Sequence, residues 1–148
     1  MHILGISTVG RGSAVALLDD SSIQFAIEEE KLNRLQDSLD IPRLAIARCL
    51  QESGLRLCDL QAIAIASRVP APSPRRKRSK PTATEDQLRQ LLRGGPRPSH
   101  SDHHSCHAAS AYYASGLDRA LILSLDQGTS AESGLLAMIE LPLAPPVR

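Results

Sequence analysis

The sequence has 148 residues, of which 42% are hydrophobic and only 2% aromatic, and its formal net charge is +1 at pH 7. That length suits one domain with a core of Leu, Ile, Ala and Val. The near-neutral charge argues against nucleic-acid binding through bulk charge, and no apolar stretch approaches membrane-spanning length. The three cysteines form no Cys-x-x-Cys pair, which argues against a zinc ribbon or a disulfide framework and favours a reducing cytoplasm.

The first part of the chain predicts three antiparallel strands, then a helix and a fourth strand. Pro42 suits the first turn of the helix, and Ser53-Gly54 ends it. The apolar run after the helix is predicted to be a parallel strand, because it follows a helical crossover. Glu29 and Glu30 are expected to form an exposed strand end. The predicted strands cover residues 2–8, 14–18, 23–28 and 60–66.

Residues 67–83 are rich in proline and basic side chains, which predicts a solvated, mobile loop. The alternative is a patch for phosphate or nucleic acid at residues 75–80. Because no aromatic residue is interleaved to stack on bases, we expect no nucleic-acid partner. A helix is then predicted from Thr84 to the Gly94-Gly95-Pro96 stop.

Residues 98–113 hold four of the five histidines and are predicted to open a helix, with Ser101 or Asp102 as its N-cap. His103 and His107 are four residues apart, so both rings project from one helical face. An apolar strand over 120–125 ends at Asp126. Two His and one Asp form a ligand set that suits iron, manganese or zinc. The alternative is a helix with exposed or hydrogen-bonded histidines.

A turn at 126–134 and an apolar run at 135–139 complete the order β-β-β-α-β-α-α-β-β. This order predicts an α/β fold, a mixed sheet with flanking helices. It is typical of one ribonuclease-H-like half of an actin-like ATPase domain, covering residues 1–140 with an unstructured tail at 141–148. In that architecture backbone N–H groups of the first hairpin turn hold nucleotide phosphates. The matching turn lies between Ser7 and Ser13; the alternative is that it is only a turn.

Three segments resemble the N-terminal domain of the nodulation and antibiotic O-carbamoyltransferase family, which is related to the tRNA threonylcarbamoylation proteins. Residues 3–17 match its opening strand, turn and Ser-Ala-Ala-Ala-Leu strand. Residues 26–34 are similar to its Glu-Glu-Arg-Phe-x-Arg signature, followed by a helix start at Ile41-Pro42. Residues 103–112 are close to its His-His-x-x-His-Ala-Ala-Ser-Ala-Phe motif, with Leu125-Asp126 at the matching strand end.

The resemblance implies transfer of a carbamoyl group from carbamoyl phosphate to a hydroxyl of a small molecule such as a sugar or antibiotic, a step of natural-product biosynthesis. The reaction passes through carbamoyl-adenylate made with ATP, and the cofactors implied are ATP and a divalent metal, iron in relatives. The implied metal ligands are His103, His107 and Asp126. From the residues themselves we expect two catalytic side chains: His104, which points toward substrate or solvent, and Arg34, as an anion contact. The implied nucleotide-binding residues are Ser7, Gly10, Gly12, Ser13 and Lys31.

The chain departs from the family at several positions. Arg11-Gly12 replace a His-Asp pair, Lys31 replaces an arginine, and Leu35-Gln36 replace two lysines. Family members also continue into a second half-domain and an adenylate-forming domain. We therefore expect little carbamoyl transfer by this chain alone. The alternative is a non-catalytic split subunit or remnant that needs a partner chain to supply the other half; a nucleic-acid-binding module is a third, weaker alternative.

Overall fold

The computed structural model describes residues 1–8, 12–20, 22–36, 41–67, 83–125 and 134–140. Predictions for Gly10, for Asp126, for residues 68–82 of the basic segment and for the tail at 141–148 lie outside these described residues. The chain divides into two compact units, Met1–Asp102 and His103–Arg148.

The first unit is built on a five-stranded mixed sheet. Its strands are β1 (His2–Ser7), β2 (Ala14–Asp19), β3 (Ser22–Glu28), β4 (Ala62–Ser67) and β5 (Ser99–Asp102). The spatial order is β3-β2-β1-β4-β5. β2 runs antiparallel to β1 and β3, whereas β4 is parallel to β1 and to β5. The predicted three-strand meander and the parallel fourth strand are both confirmed.

One face of this sheet carries the core of the unit. Apolar residues alternate along β1 and β2, so that one set points to the core. Helix α2 (Arg43–Ser53) covers that set with Ala45, Ile46 and Cys49, all buried, and burial raises the pKa of the Cys49 thiol to about 11. Gly54 ends α2 with φ +69°, a left-handed conformation that glycine adopts without strain. The sheet residues of this set are Leu4, Ile6, Val15 and Leu17.

Three short helical segments complete the first unit. They are α1 (Glu30–Asn33), a 3₁₀ turn at Leu57–Asp59, and α3 (Ala83–Leu91). Leu88 of α3 is buried in the same core.

The structure corrects the prediction for residues 99–102. The sequence placed them at the opening of the histidine helix, but they form β5 and pair in parallel with β4. The segment Ser-His-Ser-Asp has no apolar alternation, so its local pattern does not predict a strand. Its strand conformation depends on backbone hydrogen bonding to β4, a tertiary contact.

The second unit consists of α4 (His103–Ser115), β6 (Arg119–Leu125) and β7 (Gly134–Glu140). β6 and β7 pair in antiparallel fashion. Helix α4 packs on β6 through Ala108, Tyr112 and Ile122, and the Tyr112 hydroxyl donates to the carbonyl of Asp118 at 2.9 Å. Tyr113 is 75% exposed and lies edge-on against Tyr112, with ring centroids 5.4 Å apart. None of the helices in the described segments is long and apolar enough to cross a membrane.

Candidate functional site

The histidine pair of α4 has the geometry that its spacing predicts. The Nε2 atoms of His103 and His107 lie 3.0 Å apart, with ring centroids 4.3 Å apart and ring planes at 76°. One turn of helix separates the two residues, so their side chains lie one above the other on the same face. This distance is that of a hydrogen bond between the two rings.

The same distance fits two ligands of one metal ion. Imidazole nitrogens bind a divalent ion at about 2.0–2.1 Å, which places two of them about 2.9 Å apart at a right angle and about 3.4 Å apart at a tetrahedral angle. The Nε2–Nε2 distance of 3.0 Å lies between these values. The described residues contain no group of three or more His, Cys, Asp or Glu side chains that could hold a metal. The third ligand proposed from sequence, Asp126, lies outside them.

His104 is oriented by a residue that the sequence did not single out. Its Nδ1 lies 3.3 Å from the hydroxyl oxygen of Ser124, which is buried in β6. A buried hydroxyl needs a hydrogen-bond partner, and this contact supplies one. The signal in the sequence is a lone polar residue on the face of β6 that packs against α4, between Ile122 and the strand end. Ser124 therefore fixes the ring of His104 through Nδ1.

In the first unit, Glu29 has a role that sequence reasoning missed. It is only 4% exposed, so the expectation of an exposed strand end is wrong for this residue. Its two carboxylate oxygens accept hydrogen bonds from the backbone N–H groups of Leu44 and Ala45, at 3.1 and 2.8 Å. These groups lie in the first turn of α2, where no intrahelical acceptor exists. Glu29 thus caps α2 from 15 residues away, and its negative charge suits that end of the helix.

The neighbouring residues of the same segment are at the surface. The ammonium of Lys31 donates to Glu30 at 2.7 Å and lies 3.5 Å from Glu28. The hydrogen bond to Glu30 is the main cause that raises the pKa of Lys31. Arg34 is exposed and ends α1 with φ +59°, where a residue other than glycine is uncommon. The left-handed backbone of Arg34 therefore ends α1 at this residue.

The predicted nucleotide residues that the structure describes gather at one edge of the sheet. Ser7 ends β1 and pairs with Ala14, while the carbonyl of Ser13 accepts a hydrogen bond from the N–H of Glu29 at 2.9 Å. That bond brings the segment containing Lys31 to the same edge. Gly12 has φ +105°, a conformation that requires glycine. The side chain of Ser13 is completely buried, and its hydroxyl has no hydrogen-bond partner among the described residues.

The opposite edge of the sheet has a cavity of about 420 Å³ that contains none of the predicted site residues. It lies where β1 begins and β2 ends. Its lining includes His2, Asp19, Phe25 and Glu52. The candidate residues that the structure describes lie in two places in the first unit, at the Ser7–Ser13 edge and in the Glu29–Arg34 segment. In the second unit they lie on α4 and at the end of β6.

Comparison with solved structures defines the fold class. The chain is similar to YeaZ from Pseudomonas aeruginosa, with a TM-score of 0.55, 18% identity, and coverage of 96% of this chain and 60% of that one. A structure described as an uncharacterized protein with similarity to peptidase YeaZ, also from Pseudomonas aeruginosa, gives a TM-score of 0.53 with the same identity and coverage. The predicted α/β, actin-like fold with a mixed sheet is confirmed.

Comparison of sequences defines the family. Residues 2–71 match the sequence profile described as "Carbamoyltransferase N-terminus". Nodulation protein NolNO of Sinorhizobium fredii is 32% identical over 147 residues, covering 89% of this chain and 22% of that protein. The uncharacterized protein sll1178 of Synechocystis is 29% identical over 154 residues, covering 84% of this chain and 25% of that protein. Residues 2–71 therefore match an N-terminal carbamoyltransferase domain, as the sequence motifs predicted, and the chain spans about a quarter of the length of these relatives.

Proposed function

We propose that this chain forms the N-terminal part of an enzyme that transfers a carbamoyl group from carbamoyl phosphate, through carbamoyl-adenylate made with ATP, to a hydroxyl of a small molecule. The family match supports the reaction class. The observation that carries the site is the 3.0 Å separation of the His103 and His107 nitrogens, which suits a shared metal ion. The remaining parts of the enzyme come from a longer polypeptide or from a partner chain.

His103 and His107 would hold the metal, for which we propose iron, and Asp126 would be a third ligand. When bound, the metal would act as a Lewis acid that polarises carbamoyl or phosphate oxygens. His104 would contact substrate, since its Nδ1 is engaged by Ser124 and its ring is held in place.

The first unit would handle the nucleotide and the anionic donor. Gly12, with its left-handed backbone, allows the hairpin turn to approach a phosphate closely. Lys31 and Arg34 are exposed and positively charged, as contacts to an anion require. Their segment lies at the same edge because the N–H of Glu29 donates to the carbonyl of Ser13. Ser7, Gly10 and Ser13 complete the set that we propose for this role. The acceptor would be a hydroxyl of a small molecule such as a sugar. The transfer would be a step of natural-product biosynthesis.

An isotopic assay tests the proposal. This chain replaces the matching N-terminal part of NolNO in a fusion, which is incubated with labelled carbamoyl phosphate, ATP, iron(II) and a panel of sugar hydroxyl acceptors. We expect stable label on an acceptor, and a loss of at least about 100-fold when the fusion carries His107→Ala, because charge stabilisation in the transition state is lost.

The control for this assay is His100→Ala, which changes an exposed histidine of β5 and is expected to leave transfer unchanged. A folded fusion that transfers no label would contradict the proposed reaction. Equal transfer by the His107→Ala fusion would contradict the proposed site.

A further inference from the structure

Glu29 makes hydrogen bonds to three neighbouring parts of the first unit. Its N–H donates to the carbonyl of Ser13, the residue before β2, at 2.9 Å. Its carbonyl accepts hydrogen bonds from the N–H groups of Leu32 and Asn33 in α1, both at 2.9 Å. Its carboxylate accepts the two bonds from the first turn of α2. One residue, only 4% exposed, therefore connects α1, α2 and the start of β2.

The carboxylate fixes the position of Glu29 relative to α2. A buried carboxylate is separated from water, so it depends on its hydrogen-bond donors. Both donors here are backbone N–H groups, which have no rotamers, and Ala45, which carries one of them, is completely buried. The positive end of the α2 dipole also favours the negative charge. Glu29 is therefore held in one position by a helix that is itself packed in the core.

The cations Lys31 and Arg34 follow Glu29 closely in the chain, and both are exposed. They lie in and at the end of α1, which has only four residues, and a helix of that length is not stable by itself. The position of α1 depends on its bonds to the carbonyl of Glu29 and on the packing of Leu32 against the core. Because Glu29 also donates to Ser13, it sets where both cations lie relative to the start of β2.

The burial of Glu29 also affects the charge of this surface. Residues 28–30 are three consecutive glutamates, and carboxylates at a surface repel a phosphate. The carboxylate of Glu29 is turned inward to α2, and that of Glu30 accepts the hydrogen bond from Lys31 at 2.7 Å. The inward position of Glu29 therefore removes one negative charge from the surface on which Lys31 and Arg34 are exposed.

We propose that Glu29 is a positioning residue for the binding of a phosphate group. It holds Lys31 and Arg34 at the edge of the sheet where Gly12 and Ser13 lie, so that the cations and the backbone there contact the same phosphate. This inference rests on the proposed function, which assigns these residues to the nucleotide and the anionic donor. Glu29 itself touches no substrate, because its carboxylate is buried against α2. Without that carboxylate, α1 moves away from this edge and phosphate binding weakens.

The fusion of this chain with the remaining part of NolNO measures the effect on substrate binding. We expect Glu29→Ala to raise the KM of one phosphate-bearing substrate by at least about tenfold, with a smaller fall in kcat. Separate titrations of carbamoyl phosphate and ATP identify which of the two it is. Glu29→Gln keeps one acceptor oxygen and should raise that KM less. The control Leu88→Ala truncates a buried side chain of the same core and also lowers stability, but it should leave both KM values unchanged.

Hydrogen exchange of the 148-residue chain tests the inference without catalysis. The N–H groups of Leu32 and Asn33 bond to the backbone carbonyl of residue 29, which Glu29→Ala retains. Their exchange should nevertheless be at least about tenfold faster in Glu29→Ala than in Leu88→Ala, because α1 loses its connection to α2. Equal exchange in the two variants, unchanged KM values in Glu29→Ala, or the same rise of KM in Leu88→Ala would overturn the proposal. If the unmodified fusion transfers no label, the proposed function fails, and the exchange measurement still decides this inference.

Discussion

At the scale of single residues, the proposed chemistry depends on where two imidazole nitrogens lie. The four-residue spacing of His103 and His107 predicted rings on one helical face, and the 3.0 Å contact confirms that placement. The same pair of rings forms a hydrogen bond in the absence of a metal and offers a chelating pair in its presence. Measured metal content distinguishes a ligand pair from a hydrogen-bonded pair.

We expect His103→Ala and His107→Ala each to lower iron(II) affinity by at least about tenfold, since removing either ring leaves a single nitrogen ligand in α4. Metal retained after desalting is measured by mass spectrometry. His100→Ala, an exposed histidine outside the pair, is the matched control and should retain the metal of the unmodified chain. Equal metal in all four proteins would reject the ligand assignment.

Other residues of the candidate site could not be inferred from spacing. The partner of His104 is Ser124, 20 residues away on β6, and only the packing of α4 on that strand brings them together. No local pattern encodes such a contact, because it depends on the tertiary arrangement of two elements. The roles of Asp126 and Gly10 stay predictions, since both lie outside the described residues.

At the scale of elements, the position of α2 depends on a carboxylate from a distant segment. Glu29 resembled the acidic signature of the family, yet the sequence placed it at an exposed strand end. The N–H groups that donate to its carboxylate belong to Leu44 and Ala45, which are 15 and 16 residues further along the chain. Ordinary N-cap rules examine only the residues that flank a helix, and Pro42, the residue at that position, has no side chain that can accept a hydrogen bond.

We expect Glu29→Ala to lower the free energy of unfolding by about 2–3 kcal/mol, because two hydrogen bonds to a carboxylate are lost and the N–H groups of Leu44 and Ala45 are left without that acceptor. Glu29→Gln keeps one carbonyl acceptor and should cost about half as much. Urea unfolding followed by far-ultraviolet circular dichroism measures both. Glu28→Ala, at a neighbouring carboxylate that is 54% exposed, is the control and should have little effect. Similar destabilisation by Glu28→Ala and Glu29→Ala would contradict the capping role.

The elements with a strong apolar period in the first unit were predicted well. The apolar residues recur at the strand period in β1 and β2 and at the helix period in α2. This is because each of these elements buries one face in the core of the first unit. Strand β5 is the counterexample. Its four residues are polar, and it pairs with β4 through backbone groups that any sequence can supply. The element that directly precedes α4 is therefore among those that the sequence did not predict.

At the scale of the whole molecule, the two compact units differ in the buried clusters that the structure describes. Among the residues whose burial is described, the first unit has a core cluster of thirteen, from Leu4 to Leu92. Within the same limits the second unit has a cluster of three, Ala108, Tyr112 and Ile122. Hydrophobic burial is the main favourable term in folding, so local opening should cost less free energy in the second unit.

We therefore expect backbone amides of α4 and β6 to exchange with deuterium at least about tenfold faster than those of β1 and β4, because the smaller core opens more often. Hydrogen exchange of the full chain, followed by mass spectrometry of peptides, measures the difference. The comparison is internal: α2 and β4 belong to the larger core and should remain protected together. Equal protection of α4 and β1 would contradict the inference that the second unit is the less stable one.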